Sequence, residues 1–189
     1  MAHFWLGTSG VAYLRPSDAW ITEGGAEMMA FTLLAATDHD HALGELQRTV
    51  QDCSASATKP VARAGERHDG RTVYACGATF ALAAAGAQRR QGGGDYFDFL
   101  LPLLAAHRSD RAIGHADWLA HFAATTGGGE TAATTRAMLD TGVADPVATL
   151  ATLFRQTGVP CSRNGDTLTL AATAISCRRA RRRWRCGSS

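Results

Sequence analysis

Apolar side chains recur at helical spacing along most of the chain. The stretch AWITEGGAEMMAFTLLAA predicts a first helix over about residues 18–36, and we expect Ser17 or Asp18 to cap its N-terminus. The stretch HALGELQRTVQD repeats leucine and valine three and four residues apart and predicts a second helix over residues 41–52. Residues 54–70 are polar and include proline and glycine, which indicates a loop.

The helical pattern continues through the second half of the chain. Five further helices are predicted at residues 72–90, 95–107, 114–126, 130–142 and 145–158. The first of these five consists mostly of small residues, so we expect it to pack closely against its neighbours. One short strand is expected within residues 165–172, where polar and apolar positions alternate after an Asn-Gly turn. The pattern as a whole predicts a mainly α protein, a helical array with short connections.

The composition separates the chain into a folded body and a basic tail. Because 46% of its 189 residues are apolar, the chain can bury a core, and we assign residues 1–172 to one helical domain. Six arginines crowd residues 173–189 and no acid follows Asp166, so we expect this Arg-rich tail to be disordered. Clustered arginines bind phosphates, but apart from Trp184 no aromatic platform or recognition helix accompanies them. A nucleic-acid partner is therefore not expected.

The cysteines and the lack of long apolar runs lead us to expect a reducing compartment, the cytoplasm. There are five cysteines, an odd number without any C-x-x-C pair, so the sequence predicts neither a disulfide framework nor a cysteine zinc site. A reducing compartment follows as the expectation. No apolar run approaches the roughly 20 residues of a membrane-spanning helix, and the first residues lack the layout of a signal peptide. As written, the product is expected in the cytoplasm without a membrane segment, and an upstream N-terminus missing from the sequence would void that expectation.

Three short motifs carry candidate chemistry. His3 stands in MAHFWLG, and Glu23 stands in WITEGGAE, with 19 residues between them. Tyr74 opens the third motif, YACGA. Histidine and carboxylate side chains are ligands of zinc, and a phenol hydroxyl can donate a hydrogen bond to an oxyanion. The order and spacing of the three motifs are more specific than any one of them alone.

Together these motifs resemble the aminopeptidase N-like zinc metallopeptidases, which belong to the gluzincins. That family typically reads H-E-x-x-H, then W-L-x-E-G-x-A after a spacer one residue shorter than here, and then Y-x-K-G-A. The resemblance implies His3 and Glu23 as zinc ligands, Tyr74 as the catalytic donor to the oxyanion, and a peptide as substrate. Cys76 stands where the family has lysine. Glu27, one helical turn after Glu23, is a candidate for holding His3 or a neighbouring group by a hydrogen bond.

The resemblance also predicts what this chain lacks. If His3 is the second histidine of H-E-x-x-H, the first histidine and the general-base glutamate would precede Met1. We therefore expect a C-terminal fragment that starts inside the motif, namely the helical subdomain of a thermolysin-like catalytic domain whose upstream sheet is missing. Such a fragment would bind zinc weakly or not at all, and it would not hydrolyse peptides as its parent enzyme does.

A different class of function stays open beside the peptidase. The chain could be a non-catalytic helical module that binds another protein through apolar surface. Without the upstream sheet, Trp5, Trp20 and Phe31 are expected to be partly uncovered, and large uncovered apolar patches mark interaction sites. Restored zinc binding after a His-Glu pair is added before Met1 would support the peptidase alone.

Overall fold

Seven α-helices make up most of residues 12–175, the part of the chain that the computed structural model describes. They are α1 (Ala19–Leu34), α2 (His39–Ser56), α3 (Gly70–Arg90), α4 (Tyr96–Ala106), α5 (His115–Thr126), α6 (Gly129–Asp140) and α7 (Pro146–Thr157). Each predicted helix overlaps one of these, so the prediction of a mainly α protein is confirmed. The predicted loop at 54–70 holds the end of α2 and two short 3-10 helices, Val61–Arg63 and Gly65–Arg67.

Two small pairs of strands accompany the helices. Strand β1 (Ala12–Tyr13) runs parallel to β2 (Ala112–Ile113), while β3 (Cys161–Asn164) and β4 (Thr167–Leu170) form an antiparallel hairpin. The strand expected within residues 165–172 is β4, where exposed and buried positions alternate. The sequence did not reveal β3 because its side chains are exposed or half-buried and do not alternate. Nor could it reveal β1 and β2, which are two residues long.

Helix α3 lies at the centre of the fold. Every residue from Ala75 to Ala87 is buried, and the side chains in this run are mostly alanine and glycine. Because such small residues keep the surface of a helix close to its backbone, α1, α2, α4, α5 and α7 all pack against α3. The close packing predicted from its composition is therefore confirmed.

A cluster of aromatic side chains joins α3 to three other helices. The ring centroids of Trp20 and Phe80 lie 5.6 Å apart, and those of Trp20 and Trp118 lie 5.1 Å apart, both in edge-to-face arrangements. Trp20 is only 2% exposed and Phe31 only 8%. The expectation that these two residues would be partly uncovered was wrong, because the neighbouring helices cover them. Trp5 lies outside the described residues.

Asp18 ties the beginning of the described chain to α5. It precedes α1, as predicted for the N-cap, but its side chain accepts no hydrogen bond from that helix. Instead its buried carboxylate accepts hydrogen bonds from the backbone N–H of Arg15, at 3.1 Å, and of His115, at 3.3 Å. The ring Nδ1 of His115 lies 3.0 Å from the same carboxylate oxygen that its N–H contacts. These contacts satisfy a buried charged group and fix the approach of the chain to α1.

The folded part extends past the expected boundary at residue 172. A short 3-10 helix, Ala172–Ala174, follows β4, and both Ala174 and Ile175 are buried. The guanidinium of Arg89 donates a hydrogen bond to the carbonyl of Ala174 at 3.0 Å. The domain thus includes at least three residues that were expected to belong to the tail, and the remainder of the Arg-rich segment lies outside the described residues.

Cys53 of α2 and Cys76 of α3 form a disulfide bond, which the sequence did not predict. Their Cα atoms are 4.7 Å apart, within the usual range for a disulfide. The spacing of 23 residues corresponds to no known cysteine motif, and only the packing of α2 against α3 brings the two sulfur atoms together. The expectation that the cysteines would stay unpaired was therefore wrong for this pair.

Candidate functional site

Two of the three predicted site residues meet in the structure. Glu23 lies in the second turn of α1, and Tyr74 lies in the second turn of α3. Tyr74 faces Glu23 across the contact of the two helices, and the interaction of its hydroxyl group with that carboxylate raises the pKa of Tyr74. His3, the third predicted residue, lies outside the described residues. The structure thus brings together two motifs that are far apart in the sequence.

The contact depends on two glycines that belong to the same motifs. Gly24 follows Glu23 directly, and Gly77 lies about one helical turn after Tyr74. A Cβ atom placed on Gly24 would lie 2.1 Å from the carbonyl carbon of Gly77, and one on Gly77 would lie 2.2 Å from the carbonyl oxygen of Trp20. Such distances leave no room for a side chain, so the backbones of α1 and α3 touch at this crossing. This close approach is what puts Glu23 beside Tyr74.

The surroundings of Tyr74 raise the pKa of its hydroxyl group. Its hydrogen bond to Glu23, followed by partial burial and the negative charges of Glu23 and Glu27, raises the pKa of Tyr74 to about 12. A tyrosine with such a pKa carries its proton at neutral pH. It can therefore serve as a hydrogen-bond donor, and it is not a base under these conditions.

Glu27 extends the site along α1. Its side chain is 18% exposed, and its Oε1 atom lies 3.3 Å from Nη1 of Arg71. The hydroxyl of Thr49 reaches the same oxygen at 3.5 Å. The other carboxylate oxygen, Oε2, is buried and accepts no hydrogen bond from the described residues. The hypothesis that Glu27 also holds His3 stays a prediction, since His3 lies outside the described part.

Arg71 links three helices at this site. From α3, its Nε donates a hydrogen bond to Oδ2 of Asp52 on α2 at 2.7 Å, while Nη1 contacts Glu27 on α1. Burial by itself lowers the pKa of Arg71, but the hydrogen bonds and charges of Asp52 and Glu27 outweigh it and raise that pKa. Sequence reasoning missed Arg71 and Asp52 because neither belongs to a motif and they lie on different helices.

The site is acidic, but the described residues do not form a complete metal centre. Glu27 and Asp52 both pair with the guanidinium of Arg71, and Glu23 lies one helical turn before Glu27 on α1. Within residues 12–175, no group of three or more histidine, cysteine, aspartate or glutamate side chains is placed to hold a metal ion. A catalytic zinc normally has three protein ligands. Of the predicted set, this part of the chain supplies only Glu23, and its carboxylate suits zinc.

Comparison with known proteins adds no relative. The chain matches no family model, no curated protein and no solved structure. None of the described helices is long and apolar enough to cross a membrane.

The raised pKa of Tyr74 can be tested by measuring the pH at which its hydroxyl group ionises. Because this pKa lies above the ordinary value of 10.0, the hydrogen bond to Glu23 stabilises the fold below about pH 10, and its contribution is lost as the pH rises towards 12. We expect Tyr74 to stay mostly protonated at about pH 11, whereas in Glu23→Gln a larger fraction should be ionised there, since burial and Glu27 alone raise the pKa. The ultraviolet absorbance of tyrosinate, taken as the difference from Tyr74→Phe, measures this. Equal ionisation in both proteins would contradict the hydrogen bond.

Proposed function

We propose that this chain is the helical subdomain of a zinc-dependent metallopeptidase of the aminopeptidase type. In this proposal Glu23 is a zinc ligand, His3 is a second ligand, and Tyr74 donates a hydrogen bond to the oxyanion formed during peptide hydrolysis. The observation that carries the proposal is the contact between Glu23 and Tyr74. The motifs that carry these two residues are separated in the sequence and meet in the fold.

The glycines at the helix crossing support the same proposal. In the motifs W-x-x-E-G and Y-x-x-G-A, the glycine accompanies the functional residue, and here Gly24 and Gly77 form the contact that positions Glu23 and Tyr74. If single residues matched the family motifs only by chance, both glycines would not be expected to lie at the contact between α1 and α3. The motif residues therefore act as one structural unit.

In this proposal, the metal and the residues of the chain contribute different parts of the chemistry. The chemistry that zinc supplies when bound in such a site is the polarisation of a water molecule and of the scissile carbonyl group. Glu23 offers one carboxylate for the metal, and the acidic surroundings from Glu27 and Asp52 favour a cation. In this proposal the hydroxyl proton of Tyr74 turns from Glu23, whose carboxylate then binds the metal, to the carbonyl oxygen of the substrate, where it stabilises negative charge as that charge develops. Neither His3 nor a general base is supplied by the described residues.

The alternative of a non-catalytic interaction module has less support. It predicted exposed aromatic surface, but Trp20 and Phe31 are buried. Large apolar residues that are exposed in the described part are Tyr13, Leu14, Leu33 and Leu101. Tyr13 and Leu14 are neighbours in the chain, whereas Leu33 lies on α1 and Leu101 on α4. Scattered exposed apolar residues of this kind are ordinary on protein surfaces.

Zinc binding tests the proposal. A chain that carries a His-Glu pair directly before Met1 reads H-E-M-A-H, and we expect it to bind zinc stoichiometrically in calorimetry and to hydrolyse peptide substrates. Glu23→Gln should weaken zinc binding by orders of magnitude because it removes a ligand. Glu130→Gln, an exposed change in the first turn of α6, should leave zinc affinity unchanged.

Two results would contradict the proposal. One is that the extended chain binds no zinc although its circular dichroism shows the native helix content. The other is that Glu23→Gln binds zinc as tightly as the parent, which would mean that any metal binds elsewhere. Loss of bound zinc in the Glu23→Gln variant alone would assign Glu23 as a ligand.

A further inference from the structure

The disulfide between Cys53 and Cys76 lies in the helix pair that carries part of the candidate site. Cys53 follows Asp52 on α2, and Cys76 lies two residues after Tyr74 on α3. Both cysteines are fully buried, at 0% exposure. The bond therefore joins the two helices at their contact inside the core. The ion pair between Asp52 of α2 and Arg71 of α3 joins the same two helices.

The position of Cys76 explains a departure from the family pattern. This residue stands where Y-x-K-G-A has lysine, and here the position is fully buried against α2. A lysine ammonium group at such a fully buried position would lose its hydration, which is costly unless a carboxylate pairs with it. Cysteine is small and readily buried. The replacement thus exchanges a charged side chain for a covalent link to α2.

Burial of both sulfur atoms constrains when the bond can form. An external reagent cannot reach a side chain with no exposed surface, so the exchange must take place before α2 and α3 close on each other. In that exchange, one cysteine thiolate attacks a sulfur of a donor disulfide and expels a donor thiolate. The second cysteine thiolate then attacks the mixed disulfide and releases the other donor thiolate. The two cysteines lose two protons and two electrons, and the donor disulfide is reduced to two thiols.

We propose that the chain folds in an oxidising compartment, where it acquires the Cys53–Cys76 disulfide from a donor of the thiol–disulfide oxidoreductase class. Structural disulfides persist in such compartments and are rare where glutathione and thioredoxin keep thiols reduced. The bond locks α2 to α3 next to Tyr74. This replaces the expectation of a reducing compartment, which rested on the number and spacing of the cysteines. The proposal does not depend on zinc binding.

Peptide mapping of the protein from its source cells tests the bond and the compartment together. Cells are treated with an alkylating reagent before lysis, so that thiols are trapped as they exist, and the protein is digested with trypsin without reductant. Cleavage at arginine places Cys53 in the peptide 49–63, because Lys59 precedes a proline, and Cys76 in the peptide 72–89. Cys161, a free and half-buried cysteine, falls in the peptide 156–163 and serves as the internal control.

We expect the peptides 49–63 and 72–89 to appear as one linked species that separates on reduction. The peptide with Cys161 should be alkylated whether or not reductant is added. Recovery of both Cys53 and Cys76 as alkylated thiols from these cells would overturn the proposal. A link between either of them and another cysteine would overturn it as well.

The stabilising role of the bond has a separate test. In the purified protein, the double variant Cys53→Ala/Cys76→Ala should melt roughly 5–15 °C lower than the parent, because the unfolded chain regains the freedom of the closed loop. Cys161→Ala should shift the melting temperature by much less. A double variant that melts at the temperature of the parent would overturn the structural role. Should the double variant not fold, the parent refolded with and without reductant provides the same comparison.

Discussion

A single methyl group at Gly77 is expected to lower the free energy of unfolding by about 4 kcal/mol, among the largest losses a point substitution causes. In Gly77→Ala, the new Cβ would lie 2.2 Å from the carbonyl oxygen of Trp20 and 2.9 Å from Cα of Gly24. Both are backbone atoms of α1, which cannot rotate away as a side chain could. The helices must move apart, and this movement would loosen the packing of Trp20 between Phe80 and Trp118.

Gly44→Ala provides the matched control. Gly44 is also a glycine inside a helix, but a Cβ atom there meets nothing within 4 Å. Alanine favours the helix over glycine by about 0.5–1 kcal/mol, so this variant should be slightly more stable than the parent. Urea unfolding followed by circular dichroism compares the three proteins. If Gly77→Ala were as stable as Gly44→Ala, α1 and α3 could not approach each other as closely as described.

The same crossing shows how much of the site could be predicted from the sequence. The helices α1 and α3 follow from the periodicity of their apolar residues, and the small residues of α3 indicate close packing. The motifs around Glu23 and Tyr74 predict that the two residues share a site, although periodicity alone cannot say which helices meet. The structure supplies the contact itself, because the glycines at positions 24 and 77 determine where the backbones touch.

Other parts of the site could not be predicted, for one physical reason. The disulfide between Cys53 and Cys76 and the ion pairs of Arg71 each join different helices. Such contacts depend on the angle and offset of the helix packing, which the periodicity within one helix does not encode. The same holds for the hydrogen bonds between Asp18 and His115, which lie 97 residues apart in the chain.

The burial of Trp20 shows how a prediction that rests on an expected upstream sheet can be wrong. The sequence led to an expectation of uncovered aromatic surface because an upstream sheet was expected to cover it in the parent enzyme. In the structure, Trp20 packs inside the helical array itself, against Phe80 and Trp118. The helical part therefore has a core of its own, which α3 organises.

Tyr74→Phe is expected to lower turnover by about 10²–10³-fold in the zinc-loaded chain that carries the His-Glu pair, with zinc affinity unchanged. The substitution removes only the hydroxyl group and retains the ring. The pKa of Tyr74, like that of an ordinary tyrosine, lies far above 7, so this donor is protonated at neutral pH. In the proposed role, the lost hydrogen bond is one that strengthens as the oxyanion forms, so kcat should fall while KM changes little.

Tyr13→Phe is the control for this experiment. Tyr13 lies on β1 with 41% of its surface exposed, and its hydroxyl should be irrelevant to turnover. Steady-state kinetics on a short peptide with a free amino terminus would give kcat and KM for the parent and both variants. If Tyr74→Phe retained full kcat with zinc bound, the hydroxyl of Tyr74 would serve only to hold Glu23 in place. A fall in kcat together with a loss of zinc would likewise assign Tyr74 to positioning the ligand, because the oxyanion role predicts a loss of rate while the metal stays bound.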